Sequence, residues 1–90
     1  MNRRAHIIVT GRVQGVGFRY FTRTEASALR LTGWVRNRAD GKVEIEAQGE
    51  SPDIDQFVLA LSRGPSWASV DNVSVSWIDT KNENSFEVTG

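Results

Sequence analysis

Residues 34–48 read WVRNRADGKVEIEAQ, two β-rich runs on either side of Ala39-Asp40-Gly41. Gly after Asp suits the positive φ of a tight hairpin turn, so strands are predicted over 34–38 and 42–48. In the second run Val43, Ile45 and Ala47 alternate with Glu44, Glu46 and Gln48, which gives one apolar face and one face expected to be wet. In the first run Val35 and Asn37 share a face, while Trp34, Arg36 and Arg38 point the other way.

Helical patterns flank this hairpin. Upstream, residues 20–31 carry Phe21, Ala26, Ala28 and Leu29 among polar residues and stop before Gly33. Downstream, Ser51 supplies an N-cap and Pro52 a first-turn proline; Ile54, Phe57, Val58 and Leu61 then follow at helical spacing until Gly64-Pro65. A strand over 6–10 precedes the first helix, with Ile7 and Val9 on one face and His6, Ile8 and Thr10 on the other. Val73, Val75 and Trp77 alternate with polar residues in a later strand, and Phe86 with Val88 marks a short last one. The order βαββαβ, plus the short C-terminal strand, implies an α+β sandwich of ferredoxin-like type: an antiparallel sheet with both helices on one face. Because the first helix is a crossover, the strands on either side of it run in the same direction, which brings loop 13–19 close to Asn37.

Composition bounds the function. Ninety residues with 39% hydrophobic content predict a single domain over 1–90. Eleven basic and eleven acidic residues cancel, so no overall basic field draws nucleic acid. With no cysteine and the lone His6, neither a disulfide, a thiol nucleophile nor a metal cluster is expected. The N-terminal apolar run is too short for a signal-peptide core or a membrane span, so a cytoplasmic protein without membrane contact is expected.

Two residues break local rules. Arg19 stands near the start of the first helix, followed a turn later by Arg23, where the partial positive charge of the helix terminus disfavours cations. Asn37 carries an amide on the face that packs under the helices; it either caps backbone groups at the strand end or orients a small polar reactant. Gly15 and Gly17, in VQGVGFRYF at 13–21, let successive N–H groups turn inward as an anion-binding nest opening on the helix start. A phosphate there would offset the Arg19-to-dipole repulsion and accept a forked pair of hydrogen bonds.

GRVQGVGFR at 11–19, with GWVRNRADGKVEIEAQG at 33–49, resembles the two signature blocks of the acylphosphatases, and the likeness runs over nearly the whole chain. The resemblance implies a ferredoxin-like fold and hydrolysis of the carboxyl-phosphate bond of small-molecule acyl phosphates, with no cofactor. It implies a phosphate cradle from the backbone of Gln14, Gly15, Val16, Gly17, Phe18 and Arg19, with Arg19 as phosphate binder and Asn37 as water-orienting residue. Inorganic phosphate is then product and competitive inhibitor, and a monomer is expected. Arg30 replaces a glycine common in relatives, and Val88-Thr89-Gly90 replaces a more basic or aromatic tail; both departures are expected to touch stability more than chemistry.

The chemistry suits what the chain lacks. A departing carboxylate is a weak base, so breaking the P–O bond needs no strong general acid. The remaining tasks are holding the phosphoryl group, stabilising charge on its oxygens and aligning a water.

Other side chains read as structural. Trp34, Trp67 and Trp77 are expected in packing, His6 as solvated, Gln14 as a brace for its loop, and Arg36 and Arg38 as pointing away from Asn37. Two alternatives stand: a non-catalytic anion- or RNA-binding ferredoxin-like module, and an acylphosphatase-like domain of a carbamoyl-transfer maturation protein. Glu44 and Glu46 on the outer face disfavour RNA, and Met1 together with an end just after the last strand favours a complete protein.

Overall fold

The computed structural model describes residues 2–90; Met1, cited above beside the chain's end, lies outside the described part. Seven elements follow in order: β1 (Asn2–Arg12), α1 (Phe18–Ala28), β2 (Thr32–Asn37), β3 (Val43–Glu50), α2 (Ser51–Arg63), β4 (Ser69–Ile78) and β5 (Phe86–Thr89). They form one five-stranded sheet in the order β4-β1-β3-β2-β5, with α1 against β2 and β5, and α2 against β4, β3 and β1. This is the ferredoxin-like α+β arrangement expected. The last strand makes the sheet mixed, because β5 lies parallel to β2 while the other neighbours are antiparallel.

The period-two pattern places the core. Ile7, Val9, Val35, Val43, Ile45 and Ala47 are fully buried on one sheet face, and Phe18, Ala26, Ile54, Phe57 and Leu61 reach them from the helices. Register pairs Ile7 with Ile45 and Val9 with Val43, so apolar residues of neighbouring strands meet on the same side.

Several boundaries move. The first helix starts two residues earlier than predicted, at Phe18, and its regular part ends at Ala28. Phe18 is buried beneath the sheet-facing side of α1, so packing extends a helix that local preference would start later. At the other end the Arg30 N–H donates to Ser27 O (3.1 Å) and the Leu31 N–H to Ala26 O (2.9 Å), a Schellman closure in which Arg30 adopts φ 58°. Ser51 does not cap α2; it is already helical, Glu50 occupies the cap position, and no side-chain cap bond forms.

The outer face is drier than its sequence suggests. Arg4 is fully buried there, donating from Nε to Glu46 (2.8 Å) and from Nη1 and Nη2 to Glu83 (2.6 and 3.2 Å). Glu83 belongs to the 79–85 connection that carries the chain from one sheet edge to the other. Gln48 fastens that connection by accepting from the Lys81 N–H (2.8 Å) and donating to the Lys81 carbonyl (2.9 Å). His6 is not simply solvated: its Nε2 lies 2.6 Å from Glu44, which also binds Arg36. Trp67 is largely exposed rather than packed, whereas Trp77 lies under the Arg3 guanidinium, 3.6 Å from the ring centroid.

Candidate active site

The parallel run of β1 and β2 puts the β1–α1 loop beside the end of β2. Val13, Gly15, Gly17, Phe18, Arg19, Tyr20 and Asn37 line one cavity of about 170 Å³, ample for a small anion and a water, given that one water needs about 10–15 Å³. A larger and more open hollow of about 540 Å³ lies on the outer face among Arg36, Arg38, Ala39, Asp40 and Glu44. Its cations are already paired, Arg36 with Glu44 and Arg38 with Asp40, so the smaller cavity is the better anion site.

The loop is built to present donors. Gly15 (φ 74°) and Gly17 (φ 78°) are both left-handed, and an added Cβ at either would meet open space, so conformation rather than crowding requires glycine. Gly17 is the N-cap of α1, which has no side-chain cap and no acidic residue in its first turn. Among the described residues, no backbone carbonyl accepts from the N–H groups of Gln14, Gly15, Val16, Gly17, Phe18 or Arg19. A helix start with unpaired donors and a positive dipole end is suited to a small anion.

Side chains hold this loop and its surroundings. Gln14 Nε2 donates to the carbonyls of Arg38 (2.7 Å) and Lys42 (3.0 Å), tying the loop to the hairpin turn beyond Asn37. Arg19 Nη1 donates to Thr89 O (3.2 Å) and Gly90 O (3.0 Å). That leaves the Nε–Nη2 edge as one fork for an oxyanion. The C-terminal residues, expected to concern stability more than chemistry, thus end against the site arginine. Arg23 is exposed and does not line the cavity.

Asn37 closes the constellation. It is the last residue of β2, paired with Val43, and half-buried. Its carboxamide makes no hydrogen bond among the described residues, so it does not cap the strand end. The amide is available to a bound molecule. Among the described residues no group of three or more His, Asp or Glu could hold a metal ion, and no helix is long and apolar enough to cross a membrane.

Sequence reasoning named the loop glycines, Arg19 and Asn37, and the structure brings them around one cavity. It missed the contacts of Arg19 with Thr89 and Gly90, for which periodicity carries no signal, and it missed Tyr20 on the cavity wall.

The fold and the cavity together define a ferredoxin-like α+β protein with a small cavity at a strand-to-helix junction. The sequence profile described as Acylphosphatase matches residues 5–88. An acylphosphatase of Moorella thermoacetica is 46% identical over 85 residues, 94% of this chain and 91% of that protein. The crystal structure of acylphosphatase from Bacillus subtilis superposes with a TM-score of 0.96 at 42% identity, covering 100% of both chains. A full-length HypF crystal structure in phosphate- and nucleotide-bound form matches at TM-score 0.89 and 30% identity, covering 100% of this chain but 12% of that one. The chain belongs to the acylphosphatase family, and is an enzyme of that family.

Proposed function

We propose that the chain acts as one domain that hydrolyses acyl phosphates through metal-independent attack of a water on a phosphoryl group held in the 14–19 cradle. The observation that carries this reading is the juxtaposition, on one small cavity, of an unpaired donor loop at a helix start, a guanidinium with a free edge, and an unpartnered carboxamide. The N–H groups and the Arg19 fork hold the phosphoryl oxygens and stabilise the charge that builds on them. Asn37 orients the water in line with the bond that breaks. A P–O bond forms to water, the P–O bond to the acyl group breaks, and its electron pair leaves on the carboxylate. The water's proton passes to a phosphoryl oxygen, because among the described residues no side chain lining the cavity is a base.

The products are a carboxylate and inorganic phosphate, which inhibits by reoccupying the cradle. The protein works as a cytoplasmic monomer, without nucleic acid, membrane or cofactor. The same cradle in a longer protein, as the HypF likeness raises, would bind phosphate equally; this chain covers 91% of the Moorella acylphosphatase and 12% of the HypF chain. The test is turnover of benzoyl phosphate in excess chelator, with inorganic phosphate as competitor. Activity should persist and inhibition should be competitive; loss with chelator and recovery with magnesium would overturn the metal-independent mechanism.

A further inference from the structure

We infer that Tyr20 is a specificity-determining residue, a platform that favours acyl phosphates with a flat, apolar acyl group; this inference rests on the mechanism proposed above. With the phosphoryl end seated in a cavity of about 170 Å³, the acyl group must project from its mouth. The apolar residues lining the cavity divide sharply in exposure: Val13 and Phe18 are each 1% exposed, whereas Tyr20 is 63% exposed. Of the exposed large apolar side chains among the described residues, Tyr20 alone lines this cavity. Its position explains its reach. It is the third residue of α1, and helical side chains tilt back towards the N-terminus, so its ring leans over the turn that holds Gly17 and the donor loop. Its hydroxyl has no partner among the described residues, and most of the residue is open to solvent. A flat apolar group leaving the cradle would meet the ring and remove apolar surface from water.

The experiment compares kcat/KM for benzoyl phosphate and acetyl phosphate in the parent, Tyr20→Ala and Tyr20→Phe. In Tyr20→Ala the benzoyl-to-acetyl ratio should fall about fivefold, the size expected of one aromatic contact, while Tyr20→Phe should keep the ratio within about twofold. An unchanged ratio in Tyr20→Ala, including an equal fall for both substrates, overturns the platform. A ratio that falls as far in Tyr20→Phe also overturns it, because the hydroxyl would then carry the preference. A parent that turned over neither substrate would overturn the hydrolytic reading itself, a result distinct from an unchanged ratio.

Discussion

The side chain of Gln14 donates to the carbonyl of Arg38 at 2.7 Å, joining the donor loop to the residue that follows Asn37. The two halves of the candidate site lie on segments 24 residues apart, and this bond, with its companion to Lys42, fixes their separation. Gln14→Ala should therefore misalign water and phosphoryl group while leaving the cradle's own donors intact. Displacement by about 1 Å can cost about a hundredfold in rate, so kcat should fall by about 10- to 100-fold. Initial rates on benzoyl phosphate, with circular dichroism to establish folding, check this; an unchanged kcat would show that the loop holds its place unaided.

Arg19 and Asn37 should leave different kinetic signatures. Arg19→Ala should lose both turnover and phosphate binding, because in the proposed mechanism the guanidinium serves ground and transition states alike. Asn37→Ala should lose turnover by orders of magnitude yet bind inorganic phosphate within about a few-fold of the parent, because the cradle remains. Calorimetric phosphate titration beside initial rates separates the two, and nearly full turnover in folded Asn37→Ala would assign the water to another group.

Among the described residues Arg30 is the one non-glycine at positive φ, at 58°, in the closure of α1. A left-handed conformation costs an ordinary residue about 1 kcal/mol, so Arg30→Gly should stabilise the fold by about 0.5 kcal/mol once the greater freedom of the unfolded chain is counted. Urea midpoints decide the sign. A lower midpoint would mean that the arginine stem makes packing contacts worth more than the strain.

Arg4 is buried beneath the 79–85 connection with two carboxylates as partners. Burial draws its pKa down, but the bonds and charges of Glu83 and Glu46 outweigh that and hold it above the ordinary value. Removing the cation leaves carboxylates facing one another, so Arg4→Met should destabilise the protein by about 3 kcal/mol. The more exposed Glu83 should cost less, about 1 kcal/mol in Glu83→Gln, in the same chemical denaturation series.

Glu44 should leave a mark on acid stability. The hydrogen bond from His6, aided by Arg36, holds its carboxyl below the ordinary value of 4.5 against the opposing effect of burial. A carboxylate whose folded pKa lies below its unfolded one stabilises the fold above the unfolded value and loses that contribution as pH falls through the folded one. Glu44→Gln should then be less stable than the parent at neutral pH, and the gap should close progressively below pH 4.5. Denaturation midpoints for both proteins across that window check the sign; a gap that widened in acid would contradict it.

What the sequence determined by itself was local. Alternation in 43–48, the Asp40-Gly41 turn, the helical spacing of Ile54, Phe57 and Leu61, and the glycines before Arg19 each depend on residues within a few positions of one another. Such patterns follow directly from the periods of strand and helix and from the φ that glycine permits. Tertiary structure decided the rest. The start of α1 at Phe18 came from burial against the sheet, and the parallel seat of β5 beside β2 from a connection that crosses the whole sheet over Arg4. The contacts of Gln14 with Arg38 and of Arg19 with Gly90 span 24 and 71 positions. No periodicity encodes them, because they arise only when packed strands bring distant carbonyls within reach of a side chain whose flexible stem points equally well to solvent in the unfolded chain.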